Sequence, residues 1–378
     1  MTNYKAHRDS NIDLLRAIAI LMVLTYHIIW WSPLFPLWFK MLSVPGATGV
    51  DLFFILSGFL VGSIYWREER DAGEVRLMRF LKRRWLRTIP PYLVALALSW
   101  FAVSIVRQTK FDWAYLLFLQ NFRIEMPFFA VSWSLCVEEH FYLIVPLTLS
   151  LTRRFRVVRP GLLVIGIVAP PLFRLAYVSQ GINPTFGFYQ TATHLHFEGL
   201  SLGMALAWLN IFHPAYWDRA HRAALWAIIP LATISIAGAL WSREASYVVS
   251  STTVAALFGA VLLAVAGRRS IMGGMLEAPV RAIALSSYSV YLIHTLVIHA
   301  GDMLQSRVPL LTDGAMLLFW PASIAACGYL FYITVERLSI SIRDRIAPSK
   351  FGGGALAQQA SDAGAPIARE LDHQGAAT

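Results

Sequence analysis

Asp13, Arg16 and His27 interrupt a helix-length run, Ile12 to Trp31, that is otherwise apolar enough to span a bilayer. Arg16 and His27 are eleven residues apart. At about 100° per residue they return to within about 20° of one face, and Asp13 falls about 40° from His27. One polar stripe therefore runs down a greasy helix. Ionisable groups at membrane depth are costly enough to face a bundle interior or a wet cavity, which reads as a functional site in a multi-span protein. The plainer alternative puts Asp13 and Arg16 at the interface and gives His27 only a neighbour to bond. Further along, SWSLCVEEHFYLIVP (132–146) carries Glu138, Glu139 and His140. These acids lie about two to three turns below the outer surface, and His27 lies roughly 24 Å from the inner end of its helix, so the two can meet. A carboxylate bonded to an imidazole fixes its tautomer and raises its basicity, as a general base for a hydroxyl requires near neutral pH.

Other segments suggest anion binding and packing. In MRFLKRRWLRTIPPYL (78–93), Arg79, Arg83, Arg84 and Arg87 form a basic run, with 79, 83 and 87 at i, i+4 and i+8. On a helix these make one guanidinium face suited to a polyphosphate, and anionic lipid headgroups satisfy the same chemistry. In GATGVDLFFILSGFLVG (46–62), Asp51 sits among apolar residues, and Ser57-Gly58 marks either a kink or a close helix contact. His294 in YLIHT is a lone imidazole among aliphatic residues, a pattern that structural histidines share. Arg174 and Glu198 fall on neighbouring expected spans, where they pair with each other or line a cavity. No serine nucleophile with its own base and no metal-ligand spacing is evident. Cys136 and Cys327 lie in apolar runs and suggest neither a disulfide framework nor a thiol metal site.

The elements that must hold these residues are membrane spans. Of 378 residues, 57% are hydrophobic and only 14% charged, against about 25% charged in soluble domains. Ten stretches near 12–31, 47–66, 88–106, 130–151, 160–178, 194–211, 223–241, 248–266, 282–301 and 314–336 reach the roughly 20-residue crossing length. With the N-terminus inside, the inner loops hold seventeen Lys and Arg and the outer loops six. The positive-inside rule therefore places both termini in the cytoplasm. The same distribution accounts for the formal charge of +10 without nucleic acid. The expected fold class is an all-α integral membrane protein of about ten transmembrane helices. Its membrane domain covers 1–345, and a disordered cytoplasmic tail rich in Gly, Ala and Gln covers 346–378. The first apolar run lacks a small-residue cleavage site, so it reads as a retained span rather than a signal peptide.

In order along 12–336, IDLLRAIAILMVLTYH, GVDLFFILSGFLVG, FLKRRWLRTIPPY, WSLCVEEHFY, FEGLSLGMALA and LSSYSVYLIHT resemble the acyltransferase-3 family of integral membrane O-acyltransferases. The resemblance implies an inner-membrane enzyme that moves an acyl group, commonly acetyl, from cytoplasmic acyl-CoA to a hydroxyl of a carbohydrate, lipid-linked glycan or similar acceptor. No metal is expected. It assigns chemistry to Arg16, His27 and Glu138, with Asp13 as a poorer carboxylate partner for His27 because of its depth. The CoA phosphates fall to Arg83, Arg84 and Arg87, with Arg79 beside them. A cavity lining of Asp51, Asn121, Arg174, Glu198, Tyr291 and His294 is also implied. His140 stands where many relatives have Gln and is left as a packing or hydrogen-bonding residue. Trp30, Trp31, Trp113 and Trp133 suit either stacking on sugar rings or interfacial anchoring.

Two rivals use the same residue types. A proton-coupled exporter also needs intramembrane His, Glu and Arg, yet no repeated halves are visible. A non-catalytic partner in a glycan-assembly complex needs the spans but not the arginine cluster and polar stripe together. Donor binding that depends on Arg83 and Arg84 separates the enzyme from both.

Overall fold

The computed structural model describes residues 9–155, 158–182, 187–308 and 311–348. Most of the expected tail, 349–378, lies outside the described residues. Among them every regular element is helical: α1 (Ser10–Trp31), α2 (Leu37–Ser43), α3 (Gly49–Ala72), α4 (Leu77–Arg107), α5 (Trp133–Leu151), α6 (Val158–Ser179), α7 (Phe188–Thr191), α8 (Phe197–Phe212), α9 (Pro214–Trp241), α10 (Arg243–Val265), α11 (Gly274–Gln305), α12 (Asp313–Phe331) and α13 (Arg337–Ile346). A π-helical turn, Tyr332–Glu336, joins α12 to α13.

Nine helical segments among the described residues are long and apolar enough to cross a membrane: α1, Leu37–Ala72, α4, Ala130–Leu151, α6, α9, α10, α11 and Asp313–Ile346. The remaining expected span, 194–211, corresponds to α8, an apolar helix of only 16 residues. At 1.5 Å per residue it covers about 24 Å of a hydrocarbon core near 30 Å thick. Just before it the chain makes only two short helical turns, α7 and Thr193–Leu195, whose last carbonyls are bonded by side chains: Asn121 Nδ2 to Thr191 O at 3.1 Å and Arg174 Nη1 to Leu195 O at 2.5 Å. Interrupted backbone at such depth persists only where protein satisfies it, which is how this span stays short.

The tightest helix pair is α3 against α8. Gly58 and Gly62 of α3 lie against α8, and Gly199 and Gly203 of α8 lie against α3, each pair four residues apart, so both helices present bare backbone to the contact. A Cβ at Gly58 would overlap the carbonyl of Leu200, and one at Gly203 would overlap the carbonyl of Ile55. Small residues at this spacing let helix axes approach closely, so dispersion replaces the hydrophobic drive that lipid does not supply. The Ser57-Gly58 pair is therefore a packing contact inside an unbroken helix, with Ser57 Oγ hydrogen-bonded to the Tyr142 hydroxyl.

Two further ties fix the helices that carry the polar stripe. Asp9 caps α1 through Asn11 N at 2.9 Å and also accepts from Gly267 N at 2.7 Å. The Asn11 amide donates to Val265 O at 3.0 Å and accepts from Ile271 N at 3.0 Å. The N-terminal end of α1 is thus locked to the α10–α11 connection. In α4, Pro90 lacks the N–H that would bond the Leu86 carbonyl; Ser339 Oγ of α13 donates to it instead. Gly203→Val is expected to cost about 3 kcal/mol through overpacking, read as a lowered melting temperature of the detergent-solubilised protein, whereas Gly161→Ala, in open space on α6, does not lower the melt.

Candidate active site

Between α1, α3, α4, α5, α11 and the π turn lies a cavity of about 1150 Å³. Its open end is surrounded by exposed Arg67, Asp218, Arg268 and Glu277, on the side where α1 begins. Deeper in, α1 contributes Asp13 and Arg16, α4 contributes Arg84, Arg87 and Thr88, and α5 contributes Ser134 and Glu138. Tyr291 of α11 and Glu336 of the π turn complete the polar wall.

Charges in this wall are arranged in mutual support. Glu138 sits in the field of Arg84 and Arg16, with the hydroxyls of Tyr142 and Ser57 in bonding reach. The Arg84 guanidinium lies 4.2 Å over the Tyr142 ring, while its Nε is buried without a bonded partner. Arg16 Nη2 donates to Ser287 Oγ at 3.3 Å. Glu336, 1% exposed, accepts from Ser289 Oγ at 2.6 Å and feels the charges of Arg87 and Arg16; its second oxygen is unbonded. Glu336 escaped the sequence reading. Its signal was the one applied to Asp13, an acid inside an apolar run, and the π turn that places it is an irregularity common at functional sites.

The structure divides the expected site residues into three groups, with His27 and His294 apart from all of them. Asp13, Arg16, Arg84, Arg87, Glu138 and Tyr291 line the cavity. Arg79 and Arg83 turn from it to the end of α13: Arg79 donates to Pro348 O, and Arg83 to Ala347 O and to Asp344 at 3.2 Å. A third group is bound together elsewhere. Arg174 pairs with Glu198 at 2.7 Å, their side chains 2% and 3% exposed, and also donates to Thr252 Oγ1 at 2.7 Å. Asp51 lies in the field of this pair. Asn121 bonds Thr193 Oγ1 at 2.7 Å, and the same hydroxyl is 2.6 Å from His140 Nδ1.

His27 does not line the cavity. Eleven residues of α1 separate it from Arg16, about 16 Å along the axis. Among the described residues it is not hydrogen-bonded to Glu138. Instead, His27 Nδ1 is 2.8 Å from Val23 O, and its ring meets His294 edge-to-face at 4.7 Å. A carbonyl oxygen only accepts, so Nδ1 carries the proton and Nε2 keeps a lone pair. The tautomer expected from a carboxylate partner is thus fixed by the helix backbone. Between cavity and imidazole stands Tyr291, its hydroxyl donating to Val131 O at 2.9 Å and lying 2.7 Å from Ser134 Oγ. The Tyr291 ring is 5.5 Å from that of His294.

The family model described as an acyltransferase domain, Acyl_transf_3, matches residues 9–335. The chain belongs to the acyltransferase-3 family. This acyltransferase-3 chain is similar to the peptidoglycan O-acetyltransferase OatA of Listeria monocytogenes, at 29% identity over 236 residues, covering 56% of the chain and 36% of that protein. It is also similar to the O-acetyltransferase OatA of Staphylococcus aureus, at 29% identity over 222 residues, covering 52% and 34%. The chain thus spans about a third of the length of the curated relatives it matches. No solved structure matches it.

The third group reads as a clamp of the membrane fold. Arg174→Gln is expected to destabilise the acyltransferase-3 chain by about 3–5 kcal/mol, because Glu198 is left as an uncompensated buried charge. A melting curve of the solubilised variant checks this, and pairing it with Glu198→Gln should recover part of the loss.

Proposed function

We propose that this chain is an inner-membrane O-acyltransferase that moves an acetyl group from cytoplasmic acyl-CoA to a hydroxyl of a glycan or glycolipid. The observation that carries the reading is the axis of the site. A guanidinium-lined cavity opens at the end where α1 begins and stops at Tyr291, behind which His27 holds a free Nε2. The inner loops carry the excess of Lys and Arg, so that opening faces the cytoplasm, where acyl-CoA is found. The glycan class is supported by the peptidoglycan named for one relative.

Arg84 and Arg87 hold the phosphates of the donor, with Arg67 and Arg268 at the mouth adding charge. The thioester arm points along α1 towards Tyr291. From the outer half, the acceptor hydroxyl reaches His27 Nε2, which removes its proton as the oxygen attacks the thioester carbonyl. The new C–O bond forms, the C–S bond breaks, and the proton passes from His27 to the departing thiolate. Arg16, about 16 Å from His27, acts on the donor body rather than on the reacting carbonyl. Glu138 orders the Arg84 and Arg16 guanidinia, which would otherwise repel one another in an apolar wall.

In inside-out vesicles given [14C]acetyl-CoA, wild type is expected to release CoA and label membrane glycans, and His27→Ala to lose both while still binding CoA. Arg84→Met is expected to raise the donor KM at least about tenfold, the scale of a lost charge-assisted contact. CoA binding at wild-type strength in Arg84→Met, with no turnover in wild type, would shift the assignment to an exporter.

A further inference from the structure

His294 is 0% exposed and belongs to no charge cluster of the cavity wall. Its Nδ1 is 2.7 Å from Tyr291 O, so the proton sits on Nδ1 and Nε2 carries the lone pair. That Nε2 is buried with no hydrogen-bond partner. Buried polar atoms are almost always paired, so an orphan on a ring packed against another imidazole calls for an explanation. Its ring meets His27 edge-to-face with centroids 4.7 Å apart. Both rings hold the same tautomer through a carbonyl on their own helix, which leaves two basic nitrogens in one small volume.

We propose that His294 is a positioning residue of the transfer reaction, a permanently neutral imidazole that stabilises the imidazolium formed when His27 takes the proton of the acceptor hydroxyl. This deepens the reading above and rests on His27 being the base. The balance is unchanged by His294: the hydroxyl proton moves to His27 Nε2, the C–O bond forms as the C–S bond breaks, and the proton leaves on the thiol. A neutral imidazole stabilises a cation on the ring beside it where its lone-pair edge or its π face meets that ring. His294 stays neutral because a second proton would place an unpaired charge at full burial. The other titratable ring facing His27 is Tyr26 on its own helix, at 5.0 Å. Among the described residues no carboxylate, ammonium or guanidinium is hydrogen-bonded or ion-paired to either imidazole from α3, α11, α12 or the Val44–Thr48 turn. His299, farther out on α11, packs on Trp31 at 4.6 Å and not on this pair.

The test is the pH profile of [14C]acetyl transfer from acetyl-CoA into the glycans of inside-out vesicles carrying the full chain. With His294→Phe the ring packing is kept and the lone pair removed. His27 then becomes a weaker base, so the acid limb of the profile moves about one unit to lower pH and the plateau falls about tenfold, with donor KM unchanged. His294→Leu stands in if the Phe variant does not accumulate. His294→Gln, whose side-chain oxygen again offers a lone pair, is expected to recover part of both effects. An unmoved limb and plateau in the Phe or Leu variant, or a Gln variant no better than Phe, overturns the proposal while His27→Ala remains inactive. Undiminished transfer by His27→Ala overturns the underlying reading as well, so the two failures are distinguishable.

Discussion

The cost of holding ionised groups away from water organises this molecule more than any other term. A lone charge at membrane depth is too expensive to persist, so each one is answered by a partner from another helix. Glu138 on α5 is matched by Arg84 on α4 and Arg16 on α1, Glu336 in the π turn by Arg87 and Ser289, and Glu198 on α8 by Arg174 on α6. Each match fixes the rotation of two or three helices at once. Backbone groups obey the same rule. The carbonyl freed by Pro90 is bonded by Ser339, and the carbonyls that end the short turns ahead of α8 are bonded by Asn121 and Arg174. Apolar packing fills the rest, most closely where the glycines of α3 and α8 interlock.

Within that frame, helix rise separates tasks that a helical wheel superimposes. Arg16 and His27 share a face of α1, yet about 16 Å of rise lies between them. The guanidinia therefore lie towards the N-terminal end of α1 and the imidazole towards its C-terminal end. Tyr291 occupies the boundary, tied on one side to Ser134 and Val131 and on the other to His294 through its own backbone carbonyl. A reagent held by phosphates at one end and reacting at the other fits this length, whereas a compact site built around one base and one acid does not.

Much of this was legible in the amino-acid order. Apolar runs gave the helical class, and the cost of intramembrane charge marked Asp13, Arg16 and His27, with Glu138, Glu139 and His140, before any contact was known; the family resemblance chose Glu138 among the last three. What stayed hidden were partners, because one-dimensional spacing carries no cross-helix distance. A carboxylate was the chemically natural companion for His27, but Val23 of the same helix already satisfies its Nδ1. The ring packed against it is His294, an imidazole that, as a lone His among aliphatic residues, resembled a structural one. The GxxxG spacing at Gly58–Gly62 and Gly199–Gly203 was readable in full, and it decides between the kink and the contact at Ser57-Gly58.

The arginine run shows why periodicity alone mislocates a ligand site. Arg79, Arg83 and Arg87 do share a helical face by spacing, but a face is flat only if nothing packs on part of it. The last turn of α13 packs on the inner part, and Ala347 and Pro348 carbonyls with the Asp344 carboxylate occupy Arg79 and Arg83. Arg84, off that face by one residue, turns into the cavity beside Arg87 because Tyr142 offers its ring and Glu138 its charge. The pair that meets the cavity is thus selected by what α5 and α13 bring against α4. A stretch that reads as one polyphosphate face divides its labour: two arginines brace the end of α13, and two line the cavity.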